Sequence, residues 1–150
     1  MPTGKAVPPE HVYLILWKAF YAVEAHDRHS IQSLGFDSDS DFALLEALYS
    51  KGALPVNELG RKLFLTSGSI TTAVDRAQRH GWVRRAADPA DKRVALVELT
   101  ASGRERMTQV LQIHFRNLAT ALSGLGSDEQ RQLADLLRKL GKHAAAIAAG

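Results

Sequence analysis

No cysteine occurs in the 150 residues. That excludes disulfides, thiolate-ligated metals and a thiol-based peroxide switch. No run of about 18 apolar residues occurs, so no stretch reads as a membrane span. The first residues lack the basic-then-apolar layout of a secretion signal, and a cytoplasmic location is expected. The marks of an enzyme are missing as well. Ser67-x-Ser69 and the acids Asp37, Asp39 and Asp41 stand without a partner that activates a nucleophile. The three acids read instead as the charge pattern of a helix start. Gly124-Leu-Gly126 is too short to cradle a phosphate, and there is no Walker loop. No catalytic residue and no cofactor are expected. Internal repeats are absent, and low complexity is confined to an alanine-rich tail.

What is present is a globular composition. An apolar content of 45% is ordinary for a folded domain and too high for a disordered chain. The formal net charge of +3 says little, but its distribution says more. Residues 61–106 hold ten Lys+Arg against five Asp+Glu, a net +5. Residues 1–60 hold four against eight, a net −4, and residues 107–150 five against three, a net +2. Positive charge gathers in one segment, as a phosphate-facing surface requires.

That segment lies in the stretch from Ala53 to Thr100, around which the chain is organised. Pro55 suits the first turn of a helix, and Val56, Leu59 and Leu63 give that helix one apolar stripe. After a break at residues 64–66, Thr66 or Ser67 can cap a second helix. Ile70, Ala73, Val74 and Ala77 form its buried stripe, and Gly81 stops it. With the stripe inward, Ser67, Ser69, Thr71, Thr72, Asp75 and Arg76 face outward or sideways. Short polar side chains at the start of a second helix suit a major groove, and the free N–H groups there suit a phosphate. Trp82 to Arg85, a polar tip, and the apolar run from Arg93 to Thr100 make a basic hairpin. The pattern is a winged helix-turn-helix.

Residues 36–106 resemble the MarR family of bacterial transcriptional regulators. The resemblance is carried by Gly-Trp-Val-Arg-Arg at 81–85, Asp-Pro-Ala-Asp-Lys-Arg at 88–93 and Glu-Leu-Thr-Ala-Ser-Gly at 98–103. Asp91-x-Arg93 followed by Leu99-Thr100 is the most specific part. The chain departs from the family at Thr72, where Arg is frequent, at Ala77, where Leu is frequent, and at Gly60, where Ala is usual. The resemblance implies a homodimer that binds double-stranded DNA, with a ligand-responsive repressor as the fuller expectation. Ser67, Ser69, Thr71, Thr72 and Arg76 are expected to face the major groove. Arg84, Arg85 and Lys92, with Arg61 and Lys62, are expected at phosphates, and Arg93 in the flanking minor groove. Asp91 is expected to orient Arg93, or another arginine of the wing or reading helix, through a charge-assisted hydrogen bond.

The flanking segments read as helices. Pro9 to His29 has two apolar faces, one of Val12, Ile15, Leu16, Ala19 and Val23, the other of Tyr13, Trp17, Phe20 and Tyr21. A helix apolar on two sides is buried on two sides, and the second side points to another subunit. Ser30 to Gly35 reads as a linker, and Asp37 or Ser38 as the cap of a helix carrying Phe42, Leu44, Leu45 and Leu48. Beyond Thr100 or Ala101, a helix runs to about Ser123. Ser127 and Gln130 read as a capping box for the last helix, with Leu133, Leu136, Leu137, Leu140, Ala144 and Ile147 on one side. The expected fold is mainly α with a small β-wing, a winged helix-turn-helix with flanking dimerisation helices. Its parts are residues 1–35 (N-terminal dimerisation helix), 36–100 (DNA-binding lobe) and 101–150 (C-terminal dimerisation helices).

Two further groups carry alternative readings. His26 and His29 can share a metal with His11, His114 or Asp27, or simply sit near a helix C-terminus that favours cations; the expectation is no metal. Trp17, Tyr21, Phe36 and His114 can line a pocket for a small aromatic or phenolic ligand, or serve as plain core and interface residues. A winged-helix protein-interaction or metal-sensing module without strong DNA binding is the alternative function.

Overall fold

A computed structural model describes residues 6–150. The first five residues of the expected N-terminal arm lie outside the described residues. The elements in chain order are α1 (Pro9–Ser33), α2 (Asp39–Lys51), β1 (Leu54–Pro55), α3 (Val56–Lys62), α4 (Ser67–Arg79), β2 (Val83–Ala87), β3 (Ala95–Leu99), α5 (Ala101–Leu122) and α6 (Ser127–Ala148). The expected class, mainly helical with a small β-wing, is the one observed. Two compact units divide the chain, Met1–Phe115 and Arg116–Gly150.

The first unit holds the core. Phe42, Leu44, Leu45 and Leu48 of α2 meet Leu59 of α3, Ile70, Ala73, Val74 and Ala77 of α4, Val83 and Val97 of the strands, and Met107, Val110 and Leu111 of α5. The stripe read from the sequence of α4 is therefore its buried face. The sheet has the order β1-β3-β2, antiparallel throughout. Its third strand was not visible in the sequence. Leu54 and Pro55 read as a helix start, yet they pair with Val97 and Leu96 at the sheet edge, where a proline lacking N–H is tolerated. Pro55 is thus the N-cap of α3, with an extended backbone.

Other expected boundaries move. Residues 30–33 continue α1 instead of forming a linker, because Ser30 and Ile31 are buried. Gly35, at φ +83, then turns the chain. Ser38 is the cap of α2, accepting the Ser40 N–H. At α6 the Ser127/Gln130 box is not formed. Gly126 is the N-cap, its N–H donating to Glu129 Oε2 at 2.7 Å, while Gln130 Nε2 donates to the Leu122 and Leu125 carbonyls at 3.1 and 3.0 Å.

The Thr100-to-Gly103 motif joins wing to α5. Thr100 Oγ1 donates to the Gly81 carbonyl at 2.6 Å and accepts the Gly103 N–H at 3.1 Å. Thr100 thereby ties the end of the wing to the end of α4 and caps α5. A Cβ added at Gly103 would lie 2.0 Å from the Trp82 carbonyl oxygen. Gly103→Ala should therefore destabilise the protein by about 1–3 kcal/mol or more, the scale of overpacking a rigid contact. Urea unfolding checks this; an unchanged midpoint would mean that α5 can step away from Trp82 at no cost.

Two helical faces remain uncovered. From Val12 to Tyr21, the large apolar residues of α1 are 37–68% exposed, so neither face expected to be buried is covered within one chain there. In the second unit, α6 has no buried residue, and Leu133, Leu136, Leu137, Leu140 and Ile147 are exposed.

Candidate nucleic-acid interface

The interface is built on the approach of α3 to α4. A Cβ at Gly60 would lie 3.2 Å from Ile70 Cγ2 and 3.3 Å from the Leu65 carbonyl, so glycine suits this crossing. The turn is closed by Leu65 N–H on the Gly60 carbonyl (2.9 Å) and Phe64 N–H on the Arg61 carbonyl (3.3 Å). These are the paired bonds of a Schellman end, and Phe64 takes φ +54. Thr66, one of the two expected caps, closes the start of α4: its Oγ1 accepts the Ser69 N–H at 3.2 Å and donates to Ser69 Oγ at 2.9 Å.

Opposite the buried stripe, Ser67, Ser69, Thr71 and Thr72 are exposed. Thr71 Oγ1 donates to the Ser67 carbonyl at 2.8 Å and Thr72 Oγ1 to the Gly68 carbonyl at 2.9 Å. Both hydroxyl protons are committed to the backbone, which leaves an oxygen lone pair and a methyl on each residue for an outside partner. An open depression of about 540 Å³, lined by Thr72, Asp75, Gln78, Arg79 and Arg85, continues this face toward the wing.

Arg76 sits apart from that polar face. Its Nε donates to Asp41 Oδ1 and Oδ2 at 3.1 and 3.0 Å, and its Nη2 to Oδ1 at 2.7 Å. Asp41 is 2% exposed and Arg76 25%. Asp41 is therefore not a surface charge at a helix start; it is the buried anchor of α4 on α2. Its neighbours make matching links. Asp39 Oδ2 accepts from Arg28 Nε of α1 at 2.9 Å, and Asp37 lies 3.3 Å from His80 Nε2 beyond the end of α4. His80 stacks on Trp82, with ring centroids 4.2 Å apart. The three acids at the start of α2 thus each hold a base from another element.

In the wing, β2 and β3 pair Arg84 opposite Glu98, and Arg84 Nε donates to Glu98 Oε1 at 2.6 Å. Arg85 turns the other way, with Nη2 on Asp75 Oδ1 at 2.7 Å and Nη1 on Gln78 Oε1, so it ties β2 to α4. Lys92 and Arg93 line the groove at the tip with Ala86, Ala87 and Val94. Of the arginines left open as partners of Asp91, the one held is Arg93. Its backbone N–H and Nε donate to Oδ1 and its Nη2 to Oδ2, each at 3.0 Å. These bonds favour the carboxylate, side chain first and backbone second, and hold Asp91 below the usual carboxylate range. The Arg93 side chain is still 90% exposed.

The four expected pocket residues fall into two groups. Phe36 and His114 are buried on either side of Phe42, at centroid distances of 5.3 and 4.6 Å. Trp17 and Tyr21 pack on each other at 4.8 Å on the exposed part of α1. His114 Nδ1 lies 3.2 Å from Asp27 Oδ1, and Asp27 is ten residues, about 15 Å of helix rise, beyond Trp17. Within one chain the four do not form a single cavity. The Asp27 and His114 atoms are close enough to attract but make no hydrogen bond, and both are buried without a partner. Burial raises the Asp27 carboxyl above its ordinary range, with His114 opposing. Among the described residues, no three His, Asp or Glu side chains are grouped to hold a metal, and no helix is long and apolar enough to cross a membrane.

Sequence reasoning missed Asp41, Gln78 and Phe64. The partner of Asp41 is 35 residues away, and Gln78 carries no signal of its own. An exposed φ-positive Phe64 is foreshadowed only by the lack of glycine in the break at 64–66.

A polar helix presented by a tight turn and flanked by a basic hairpin defines a winged helix-turn-helix of the DNA-binding kind. The MarR family model matches residues 38–94. The Uncharacterized HTH-type transcriptional regulator YkoM of Bacillus subtilis is 38% identical over 133 residues, covering 89% of this chain and 86% of its own. A probable transcriptional regulator from Pseudomonas aeruginosa superimposes with TM-score 0.72 at 30% identity, over 86% of this chain and 96% of that one. A mutant MarR from E. coli complexed with operator DNA does so with TM-score 0.75 at 25% identity, over 86% and 92%. The chain belongs to the MarR family of winged helix-turn-helix transcriptional regulators.

Proposed function

We propose that the chain binds a pseudo-palindromic operator as a homodimer, with α4 in the major groove and the wing tip in the flanking minor groove. One observation carries this reading above the rest. Arg93 is held outward by Asp91 yet is 90% exposed, a cation set in place with no other partner of its own chain printed around it. A narrow A·T minor groove concentrates the negative potential that such a cation fits. Ser67, Ser69, Thr71 and Thr72 then meet the major groove, the threonines as acceptors or through their methyls. Lys92, Arg84 and Arg85 serve phosphates, Arg85 by exchanging its bonds to Asp75 and Gln78. Arg76 acts from behind by holding α4 on Asp41.

The dimer reading rests on the apolar residues that α1 and α6 leave uncovered. Residues 1–35 and 101–150 are its dimerisation parts and 36–100 its DNA-binding lobe. The chain is read as non-catalytic and cytoplasmic, in keeping with relatives that are transcriptional regulators. A small aromatic or phenolic ligand fits the neighbourhood of Phe36 and His114, where unpartnered polar atoms lie beside aromatic rings; in the dimer, Trp17 and Tyr21 would complete the pocket. Repression relieved by that ligand is the fuller form of the proposal.

Selecting fragments of the source genome that bind the full chain should recover sites with two related half-sites about 10 bp apart, one helical turn of DNA. Recovery of tight sites without two-fold symmetry would contradict the dimeric reading.

A further inference from the structure

The chain ends its helices in two ways. Gly35, Gly52 and Gly81 turn the ends of α1, α2 and α4 with φ of +83, +83 and +74. Glycine takes this conformation without a Cβ penalty. The end of α3 makes the same kind of turn with Phe64 at φ +54. A bulky side chain is a true outlier there, and strain of this kind is stored where function requires it. Burial does not offset it, because Phe64 is 97% exposed, the most exposed of the large apolar residues. Backbone conformation and hydrophobic burial both favour another residue at this position, so the fold itself gains nothing from the ring.

We propose that Phe64 is a DNA-contacting residue that lays its ring against the deoxyribose face of the backbone beside the start of α4. This rests on the DNA-binding reading and adds to it an apolar contact among the charged ones. The placement argues for DNA over another partner. Phe64 stands two residues before the Thr66 cap, where α4 presents its first N–H groups, an anion-favouring end. Exposed Arg61 and Lys62 precede it on the last turn of α3. An aromatic ring between two cations and a helix start matches a polyanion whose sugars offer C–H surface between phosphates. Sugar and phosphate contacts position a protein without reading sequence, so Phe64 should contribute equally on any duplex.

The test compares Phe64→Gly and Phe64→Asn, both of which suit a positive φ, with wild type and Arg61→Ala. Operator and random duplex are titrated at several salt concentrations, and thermal unfolding is recorded. Both Phe64 variants should unfold at or above the wild-type temperature. Both should bind each duplex about tenfold more weakly, the scale of losing a partly buried apolar side chain. Their salt slope should equal that of wild type, since no counterion is involved, whereas Arg61→Ala should lower the slope by about one unit. Phe64→Leu should keep most of the affinity. The proposal is overturned if either glycine or asparagine variant binds both duplexes like wild type, or if the loss is confined to the operator. A slope lowered as in Arg61→Ala also overturns it, because the effect would then pass through phosphates. Wild-type protein that binds neither duplex would instead refute the DNA-binding reading itself.

Discussion

Replacing Arg76 with alanine should destabilise the fold by about 3–5 kcal/mol, the cost of leaving a buried charge without its partner. The Asp41 carboxylate is 2% exposed and accepts three bonds from one guanidinium. Removing the arginine leaves both oxygens without that charge-assisted partner. The mirror change, Asp41→Ala, should cost less, because Arg76 is a quarter exposed and can turn toward water. Replacing both by apolar residues of similar volume should recover much of the loss, since a buried pair is often worth no more than good packing. Urea unfolding of the two single variants and the double variant gives the coupling between them. The functional consequence follows from where the pair sits. It fixes the α4 helix to the start of α2, which is itself tied to α1 through Asp39 and Arg28. Arg76→Ala should therefore also weaken operator binding by misplacing α4, with the salt slope kept. Stability within about 1 kcal/mol of wild type, the scale of an exposed pair, would show that water reaches Asp41 and that the pair anchors nothing.

The parts of the fold that were legible in the sequence are those written in local pattern. Ile70, Val74 and Ala77 recur at helical spacing, so the buried side of α4 and hence its polar side could be read directly. The hairpin could be read from its apolar run and polar tip, and the link from Asp91 to Arg93 from a spacing of two. What was not legible depends on distant or very short features. A two-residue strand has no periodicity, so β1 passed as a helix start. Asp41 looked like its neighbours Asp37 and Asp39 because nothing local distinguishes a buried acid from an exposed one; the difference is made by Arg76. The end of α1 was misplaced because Ser30 and Ile31 are held by burial, which polar flanks conceal. Of the pocket residues, the aromatic character was visible, but not the 15 Å or so of helix rise that separates Trp17 from the level of Asp27 and His114.

The central claim is that the basic wing and the α3–α4 unit bind the phosphate backbone of duplex DNA. Each neutralised phosphate contributes about −0.9 to the slope of log K against log salt. A dimer making 6–10 such contacts should lose roughly a thousandfold or more in affinity between 50 and 200 mM salt. The measurement is that titration on a selected operator and on random duplex, with Arg93→Ala alongside. Wild type should show the steep slope on both duplexes. Arg93→Ala should bind more weakly, most at sites with A·T-rich flanks, with a slope lower by about one unit. A flat salt dependence of the wild type would contradict the claim.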